Sequence, residues 1–587
     1  MRKKNDMKRA IRTCVYCVVL GVLLSGESSG QTSQPAISLE DLPPEVLAYP
    51  ELILFNGRIL TVDEKFSTQE ALAIRGERIL ALGDSSRILK MAGPKTRKLD
   101  LEGKTVLPGF IDSHLHLGDY AMDYMLLEEK EIRWEGKIER LGIVWKDLDM
   151  ALRDIRRAVD AAAPGEWIRI PTREGDRIFQ AMTLEQLDTI APENPLVLTD
   201  VSQGGRPAAV NTKAIQVAEI SPSNLPKENA VISDKTAALL AEYFTWAFPM
   251  EKVIPWHKKA MKLVNSWGLT TVVTRIKPEQ FTALRAIWLQ NELTVRWRVG
   301  FPGPLYIART GNLSDIGDDW LRISGADGGM AVPGSGAALD HWSSKVPPAP
   351  DELSTWLPRR RQFLDALRYG WSIPNTHIKG NIAVREVLDI FEEARKSPVV
   401  RSPNQRLTMD HMQEIDDRDI LRIKELGVIP SSQMIDLFCD EHPEGSSGYQ
   451  SVFGADYVNA MLPIKKYLEL GIHPTVEADS GDERHGSPLW GIEKLVCRCV
   501  DGSQWIWGRT QRISRQDALR MKTIWAAAYA GDSNKLGSLE PGKLADLVVL
   551  DRDYLSVPEE QISDLKVILT MVGGKVVHSR LGHLEGN

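Results

Sequence analysis

Cysteine is scarce in this sequence, and nothing in it offers an extended basic face. Five cysteines in 587 residues are too few for a disulfide framework. A formal net charge of −7 argues against a nucleic-acid partner, whose phosphates require an extended basic face. Neither G-x-G-x-x-G nor G-x-x-x-x-G-K-[ST] follows a strand-like run, which argues against a doubly wound nucleotide-binding sheet.

The first thirty residues have the features of a secretory signal peptide. A basic segment, MRKKNDMKRAIRT, precedes an apolar run, CVYCVVLGVLLSG, that is too short to span a membrane. The small residues Ser28 and Gly30 suit a cleavage site before Gln31. We therefore expect residues 1–30 to be a signal peptide and residues 31–50 a linker. The mature protein would be periplasmic or extracellular with no membrane span, and a retained N-terminal membrane anchor is the alternative.

Three cysteines lie beyond that segment: Cys439, Cys497 and Cys499. The Cys-x-Cys pair could contact a metal or form a strained disulfide. Its flanking sequence, GIEKLVCRCVDG, is typical of a helix or a core segment. We therefore expect structural thiols at these positions.

Both ends of the remaining chain contain β-hairpin patterns. Runs of β-forming residues surround Asn56 and Gly57, then Arg75 and Gly76, and near the C terminus a Gly-Gly pair at residues 573–574. We infer that the two chain ends meet. Residues 51–104 and 537–580 would form one small composite β-sandwich that encloses everything between them.

The middle of the chain, residues 105–536, alternates strand-like runs with amphipathic helices. GLTTVVT and RLTMDHM are typical of strands, whereas AVREVLDIFEEAR and SRQDALRMKTIWAAAYAG are typical of helices. This order predicts a parallel sheet, and the length suits an α/β fold with a distorted (β/α)8 TIM barrel. A doubly wound sheet is the alternative. Residues 165–250 contain few clean strands and predict an insertion beside the barrel mouth.

A Pro-rich stretch at residues 341–358 predicts a long loop, and long loops in compact domains are often lids. Trp342, Trp356 and Trp371 cluster around it in sequence. We expect them to form an aromatic wall for a flat or apolar ligand.

Two histidines, His114 and His116, end the apolar run VLPGFIDSHLH. Side chains two apart in a strand point to the same face, so both imidazoles can reach one metal ion. His377, His411 and Asp479 also end strand-like runs, and β/α barrels carry their active sites at the C-terminal ends of strands. We expect these five side chains to converge. The ligand set favours zinc or another borderline divalent metal.

Five segments resemble, in order, the metal-binding and closing motifs of the amidohydrolase superfamily: VLPGFIDSHLHL, THIKGNIAVR, RLTMDHMQEIDDRDILRIKELGVIPSSQ, ADSGDERHGSPLWGIEKLV and LGSLEPGKLADLVVLDRD. The most similar branch is the amidohydrolase 3 group, which includes N-substituted formamide deformylases. The resemblance extends from about residue 51 to His578. PGFIDSHLH together with LGSLEPGKLADLVVLD is highly specific, whereas H-x-H alone is weak.

This resemblance implies the metal-dependent hydrolase fold, with metal ligands at His114, His116, His377, His411 and Asp479. The metal would acidify a water molecule and polarise the scissile carbonyl. Asp479 would take the proton from that water and pass it to the leaving nitrogen. His411 would either bind the metal or stabilise the developing oxyanion.

The sequence departs from the family pattern at several positions. Many members carry a lysine whose carboxylated form bridges two metals, and this chain has Ile323 there with Arg322 beside it. We therefore expect one divalent ion, zinc in the first instance, rather than two. Asn381 replaces an aspartate, Asp410 a glutamate and Arg206 a histidine. These changes indicate an unusual substrate and leave weak or lost activity open.

Three residues are candidate substrate contacts: Arg275, which closes the strand GLTTVVTR, Arg206 in the insertion, and His485 in the loop after Asp479. The expected partner is a small-molecule substrate, and a homo-oligomer stays open. The favoured function is hydrolysis of a non-peptide C–N bond in an amide, formamide or cyclic amide. The alternatives are an isomerase, lyase or decarboxylase on the same fold, and a catalytically silent binding protein.

Overall fold

The described part of this computed structural model covers residues 49–581 with internal gaps. The gaps are residues 130, 135–136, 141–143, 173–175, 201–205, 227–228, 234–235, 238, 241–248, 302–310, 327–349, 401, 440–453, 480–483 and 503–504. The predicted signal peptide and all but the end of the predicted linker lie outside the described residues.

Strands from both chain ends form two sheets that share a core. One sheet contains, in spatial order, Arg78–Gly83, Ala71–Arg75, Leu52–Phe55 and Arg97–Asp100. The other contains Lys575–Ser579, Val567–Val572, Leu547–Leu550, Thr105–Pro108, Arg58–Leu60 and Thr68–Gln69. Leu54 and Leu72 of the first sheet pack with Val549 and Leu569 of the second. The composite β-sandwich built from both chain ends is thus present, and a short helix, Ser85–Leu89, packs on it.

Two of the three predicted hairpins form. The strands on either side of Arg75 and Gly76 pair antiparallel, as do those on either side of residues 573–574. The hairpin predicted at Asn56 and Gly57 is wrong, because the strands before and after it pair with other strands in different sheets. A Cβ at Gly57 would come within 2.3 Å of the Leu101 side chain. Glycine therefore allows the chain to cross from one sheet to the other at this point.

Eight parallel strands close into a barrel. They are Phe110–Asp112, Leu269–Thr274, Arg296–Phe301, Leu321–Ala326, residues 373–377, Thr408–Met409, Ile429–Gln433 and Thr475–Glu477. The fifth strand is reduced to two bridges, Ile373 with Leu407 and His377 with Asp410. The barrel closes where Leu115 bridges Asp479. The predicted distorted (β/α)8 barrel is confirmed, and the doubly wound alternative is wrong.

Helices follow the barrel strands and bury their apolar faces against them. They are Leu117–Glu128, Met250–Ser266, Pro278–Leu289, Pro350–Arg368, Asn381–Lys396, Asp417–Leu426, Ile435–Phe438, Ala455–Ala460, Ile464–Glu469, Pro488–Cys497, Arg515–Met521 and Ile524–Ala530. The predicted N-cap of the helix Arg515–Met521 is confirmed, since Ser514 accepts a hydrogen bond from the Asp517 backbone N–H. None of the described helices is both long and apolar enough to cross a membrane.

A separate sheet lies in the insertion between the first and second barrel strands. Its order is Arg206–Val210, Leu196–Asp200, Trp167–Thr172, Lys137–Arg140 and Glu131–Trp134. The helices of this region are Leu148–Asp160, Asp176–Ala181, Leu184–Ile190 and Thr212–Val217. The expectation of few clean strands is therefore wrong, and the sheet begins earlier than residue 165. The strand Trp167–Thr172 is buried throughout, so it lacks the polar–apolar alternation that identifies strands from sequence.

The loop predicted at residues 341–358 is wrong in its second half. The helix Pro350–Arg368 covers residues 350–358. Pro350 lies in the first turn, where proline is tolerated, whereas Pro358 lies inside the helix. Trp356 and Trp371 are 3% and 1% exposed, so both belong to the core and not to an aromatic wall. Trp342 lies outside the described residues, as does the rest of the stretch before Pro350.

Cys497 and Cys499 are joined by a disulfide, which corrects the expectation of structural thiols. The segment that carries them is helical, as predicted, but the helix Pro488–Cys497 ends at the first cysteine. Arg498 then adopts the left-handed conformation, with φ of 57°. This turn brings the two cysteine Cα atoms within 5.1 Å of each other.

Candidate metal centre

The backbone at the C-terminal ends of the first and eighth strands holds three predicted ligands together. The Asp479 N–H donates to the His114 carbonyl at 2.8 Å, and the His116 N–H donates to the Asp479 carbonyl at 3.0 Å. The Leu115 N–H donates to Val273 of the second strand at 3.1 Å. The His-x-His segment therefore continues the barrel ladder, with the two histidines at fixed positions on either side of Leu115.

Three side-chain atoms of these residues converge. Nε2 of His114 and Nε2 of His116 are 3.1 Å apart. Oδ1 of Asp479 lies 3.3 Å from the first nitrogen and 3.1 Å from the second. Two atoms that are each about 2.0–2.1 Å from one tetrahedral zinc ion lie about 3.3 Å apart. The spacing of the three atoms thus fits one metal ion.

The protonation of the three groups supports the same conclusion. Nδ1 of His114 lies 2.7 Å from Asp410, so in the neutral ring the Nδ1 proton would face that carboxylate and Nε2 would be the metal-binding nitrogen. Nε2 of His116 is not protonated, because it accepts a hydrogen bond from Arg275 at 2.9 Å. Asp479 supplies a carboxylate oxygen. Imidazole with carboxylate is a donor set typical of zinc, and the three groups could hold such an ion.

The pKa values of His114 and Asp479 reflect this arrangement. Burial lowers the pKa of His114, but hydrogen bonds to Asp410 and Asp479 outweigh it and raise that pKa to about 10. Burial alone would raise the pKa of Asp479, but His411 and the two neighbouring histidines hold it well below its usual range. Nε2 of His114 therefore holds a proton beside an ionised carboxylate, and metal binding would displace that proton.

His411 and His377 extend the cluster along the strand ends. The ring centroid of His411 lies 4.9 Å from that of His114 and 4.3 Å from that of His377. His411 is fully buried, and its Nδ1 lies 2.5 Å from Oε1 of Glu477. Burial and the neighbouring His377 hold the pKa of His411 well below its usual value, so the ring is neutral. Among the described residues, Nε2 of His411 has no hydrogen-bond partner.

Buried polar side chains behind the cluster fix its orientation. Asp410 accepts a hydrogen bond from the Tyr529 hydroxyl at 2.6 Å in addition to its contact with His114. Gln433, at the end of the seventh strand, donates to Oδ2 of Asp479 at 2.8 Å, which leaves Oδ1 directed at the histidines. Burial raises the pKa of Glu477 well above its usual value. Such partners set the tautomer and direction of metal-binding groups.

Two of the predicted ligands have an unusual backbone conformation. His411 and Asp479 have φ of 59° and 56°, in the left-handed region that disfavours residues with a Cβ. Each such residue costs on the order of 1 kcal/mol or more and persists only where the surroundings require it. Both residues lie directly after a barrel strand, where the conformation turns the side chain into the pocket.

The structure places the three candidate substrate contacts in different surroundings. Arg275 is at the site, as its contact with His116 shows, and its Nε is buried without a partner among the described residues. His485 is not open to the pocket, because it is 4% exposed and packs edge-on against Trp490. Arg206 begins the strand Arg206–Val210 in the insertion sheet, and its side chain lies outside the described residues.

The positions that depart from the family pattern lie on the fourth strand and after the fifth. Ile323 packs against the main core, and Arg322 donates to Asp532 at 2.9 Å. The strand Leu321–Ala326 contains no lysine, aspartate or glutamate. Asn381 donates to Asp416 at 2.9 Å. None of these side chains supplies a bridging ligand.

Sequence reasoning missed the supporting roles of Gln433, Glu477 and Tyr529. Gln433 ends a barrel strand, so the strand-end argument that selected the histidines could have found it. Glu477 lies two residues before Asp479 and points to the same side of the eighth strand, a relation visible in the sequence. Tyr529 lies in the helix Ile524–Ala530, and no sequence pattern connects it with Asp410.

Comparison with known proteins identifies the family. The amidohydrolase 3 model, described as "Amidohydrolase family", matches residues 97–578. The chain belongs to the amidohydrolase family. N-substituted formamide deformylase of Arthrobacter pascens is 25% identical over 91% of this chain and 99% of that protein. Protein LONG AFTER FAR-RED 3 of Arabidopsis thaliana is 26% identical over 92% of this chain and 94% of its own.

Solved structures support the amidohydrolase fold. An uncharacterized metal-dependent hydrolase from Pyrococcus horikoshii superposes with a TM-score of 0.61 at 20% identity, covering 86% of this chain and 99% of that one. A similar protein from Pyrococcus furiosus gives a TM-score of 0.59 at 22% identity over 86% of this chain and 100% of that one. At this identity the likeness establishes the fold alone.

Proposed function

We propose that this amidohydrolase is a metal-dependent hydrolase that cleaves a non-peptide C–N bond in an amide, formamide or cyclic amide. The observation that carries the proposal is the convergence of Nε2 of His114, Nε2 of His116 and Oδ1 of Asp479, which lie within 3.3 Å of one another. The similarity to an N-substituted formamide deformylase along nearly the whole chain supports the bond class.

We propose one zinc ion as the cofactor. His114, His116 and Asp479 would hold it, with His377 and His411 beside them. A second ion needs a bridging anionic ligand, and the fourth strand offers Ile323 where relatives carry a lysine. When bound, the ion supplies Lewis acidity, which lowers the pKa of a water molecule and polarises the substrate carbonyl.

Side chains of the protein would then carry out the proton transfer and stabilise the developing charge. Asp479 is ionised, with Oδ1 beside the two histidine nitrogens and Oδ2 accepting a hydrogen bond from Gln433. This carboxylate would accept the proton of the attacking water and pass it to the leaving nitrogen. Glu477 fixes the His411 ring through Nδ1, which leaves Nε2 as the nitrogen that faces substrate. His411 and Arg275 would stabilise the negative charge that develops on the carbonyl oxygen.

The test combines metal analysis with a substrate screen. We expect purified protein to contain stoichiometric zinc and to hydrolyse at least one member of a panel of N-formyl, N-acyl and cyclic amide compounds. Asp479→Asn should abolish turnover but retain more zinc than a variant in which both His114 and His116 are alanine. Asp389→Asn is the matched control, because this aspartate is half-exposed on an outer helix.

Each alternative function predicts a different result in these experiments. Turnover that survives in Asp479→Asn would remove this residue from the proposed role. Metal with no hydrolysis, but with isomerisation, elimination or decarboxylation of related compounds, would favour the other chemistries of this fold. Protein without stoichiometric metal, in which His114→Ala changes nothing, would favour a silent binding protein.

We propose that the mature protein acts outside the cytoplasm. The signal-peptide pattern of residues 1–30 supports this, and so does the disulfide between Cys497 and Cys499, since disulfides persist in oxidising compartments. N-terminal sequencing of protein from the producing cell should find a start near Gln31. An intact N terminus in a membrane fraction would favour the anchored alternative.

A further inference from the structure

A second chemically active group lies at the end of the helix that follows the candidate metal centre. Cys497 is 6% exposed and Cys499 is partly exposed. We propose that this disulfide is a redox-active pair, opened by a dithiol reductant and closed again by oxidation, that controls the mobility of residues 484–490. The proposal goes beyond hydrolysis.

The surroundings of the pair favour thiol chemistry over metal binding. Glu493 and the two cysteines could hold a metal ion by the spacing of their ligand atoms alone. However, Oε2 of Glu493 already accepts hydrogen bonds from Ser563, and Oε1 lies 2.8 Å from the Lys494 ammonium. Nζ of Lys494 is also 3.9 Å from Sγ of Cys499. A fixed cation here opposes a metal ion and stabilises a thiolate.

The exposure of the two cysteines sets the proposed order of the reaction. A thiolate of the reductant attacks Sγ of Cys499, the more exposed residue, and the bonding electron pair of the disulfide passes to Sγ of Cys497. That sulfur already accepts a hydrogen bond from the Cys499 N–H at 3.1 Å. The second thiolate of the reductant then displaces Cys499, which leaves as a thiolate beside Lys494. The pair is reduced to two thiols and the dithiol is oxidised to its own disulfide.

The disulfide controls the position of Asp501, two residues beyond Cys499. The hairpin that carries Asp501 is tied by a bridge between Cys499 and Ile506, and its backbone donates to the Phe438 carbonyl at 3.0 Å. Opening the disulfide removes the covalent tie between this hairpin and the end of the helix. The Asp501 carboxylate keeps its ion pair with the Lys494 ammonium, 2.5 Å from Oδ1, but the covalent tie no longer constrains the backbone that carries it.

Asp501 in turn holds the loop that follows the eighth strand. Its carboxylate accepts a hydrogen bond from Trp490 at 2.8 Å. It also lies 3.3 Å from a guanidinium nitrogen of Arg484 and 3.6 Å from Nε2 of His485. Arg484 and His485 come shortly after Asp479 in the chain. Greater mobility of Asp501 therefore loosens residues 484–490.

The experiment uses the purified full chain in its native state. Free thiols are alkylated with iodoacetamide before and after dithiothreitol, and the sites are identified by peptide mass spectrometry. We expect Cys497 and Cys499 to react only after reduction, and oxidised dithiothreitol to reverse the change. Hydrogen exchange should accelerate by about tenfold or more at residues 484–490 on reduction, because local opening there becomes easier.

Variants separate the pair from general effects of reduction. Cys499→Ser should show the fast exchange without reductant, whereas Cys439→Ser should behave as the native protein, since Cys439 is outside the disulfide. A pair that resists dithiothreitol in the folded protein, or exchange at residues 484–490 that does not respond, would overturn the proposal. These readouts need no turnover, so a failed substrate screen leaves them interpretable.

Discussion

Replacing Asp410 with asparagine tests whether the buried carboxylate behind His114 tunes the metal centre. Oδ2 of Asp410 lies 2.7 Å from Nδ1 of His114, Oδ1 accepts from Tyr529 at 2.6 Å, and His114 and Asp410 are completely buried. Asparagine keeps the shape and can still accept from His114 through its oxygen. It removes the negative charge and directs an N–H group at the tyrosine hydroxyl.

The expected changes in zinc affinity and in folding stability follow from those contacts. Loss of an outer carboxylate that orients a metal-binding histidine typically weakens metal binding by about 10–100-fold, which is about 1.4–2.7 kcal/mol. The Tyr529 hydroxyl also accepts from the Asn375 N–H at 3.0 Å, and in the variant its own proton loses Asp410 as its acceptor. An unsatisfied buried donor costs about 1–3 kcal/mol of folding stability.

Zinc affinity is measured by competition with a chromophoric chelator, and stability by urea unfolding of the metal-free protein. Tyr529→Phe is the control, because it removes the hydroxyl and keeps the charge. It should alter zinc affinity little, and in combination with Asp410→Asn it should recover part of the lost stability. A folded Asp410→Asn protein that binds zinc within about threefold of the native protein would refute the assigned role.

Two further variants each remove a charged side chain, one beside the candidate metal centre and one in a buried ion pair elsewhere in the barrel. Arg275→Met should bind zinc at least about fivefold more tightly in the same competition assay, because a cation beside Nε2 of His116 repels the ion by about 1 kcal/mol or more; unchanged or weaker binding would contradict this. Asp532→Asn should lower the free energy of unfolding by about 3–5 kcal/mol, because this carboxylate pairs with two buried arginines. A urea-measured loss below about 1 kcal/mol would show that the arginines find other partners.

Elements defined by local patterns were predictable. The strand ends that carry His114, His411 and Asp479 follow from short apolar runs, and the turn at Arg75 and Gly76 follows from flanking β-forming residues. These patterns act over a few residues, so the sequence contains the whole signal.

Elements defined by distant partners were not predictable. The strands around Asn56 have the same local pattern as a hairpin, yet each pairs with a strand elsewhere. The Pro-rich stretch before Trp356 is in part a helix, because the core gains that tryptophan when the helix forms. The fully buried strand Trp167–Thr172 shows no alternation for a pattern to detect.

The sequence by itself determined the chemical identity of the centre: imidazoles and a carboxylate at strand ends, and no bridging lysine on the fourth strand. The tertiary structure decided how those groups are protonated and held, because Asp410 with Tyr529 and Gln433 with Asp479 meet across many residues of chain. It also decided that Cys497 and Cys499 form a disulfide. Ligand type is a property of single residues, whereas pKa, orientation and pairing depend on which distant groups folding brings within about 3 Å.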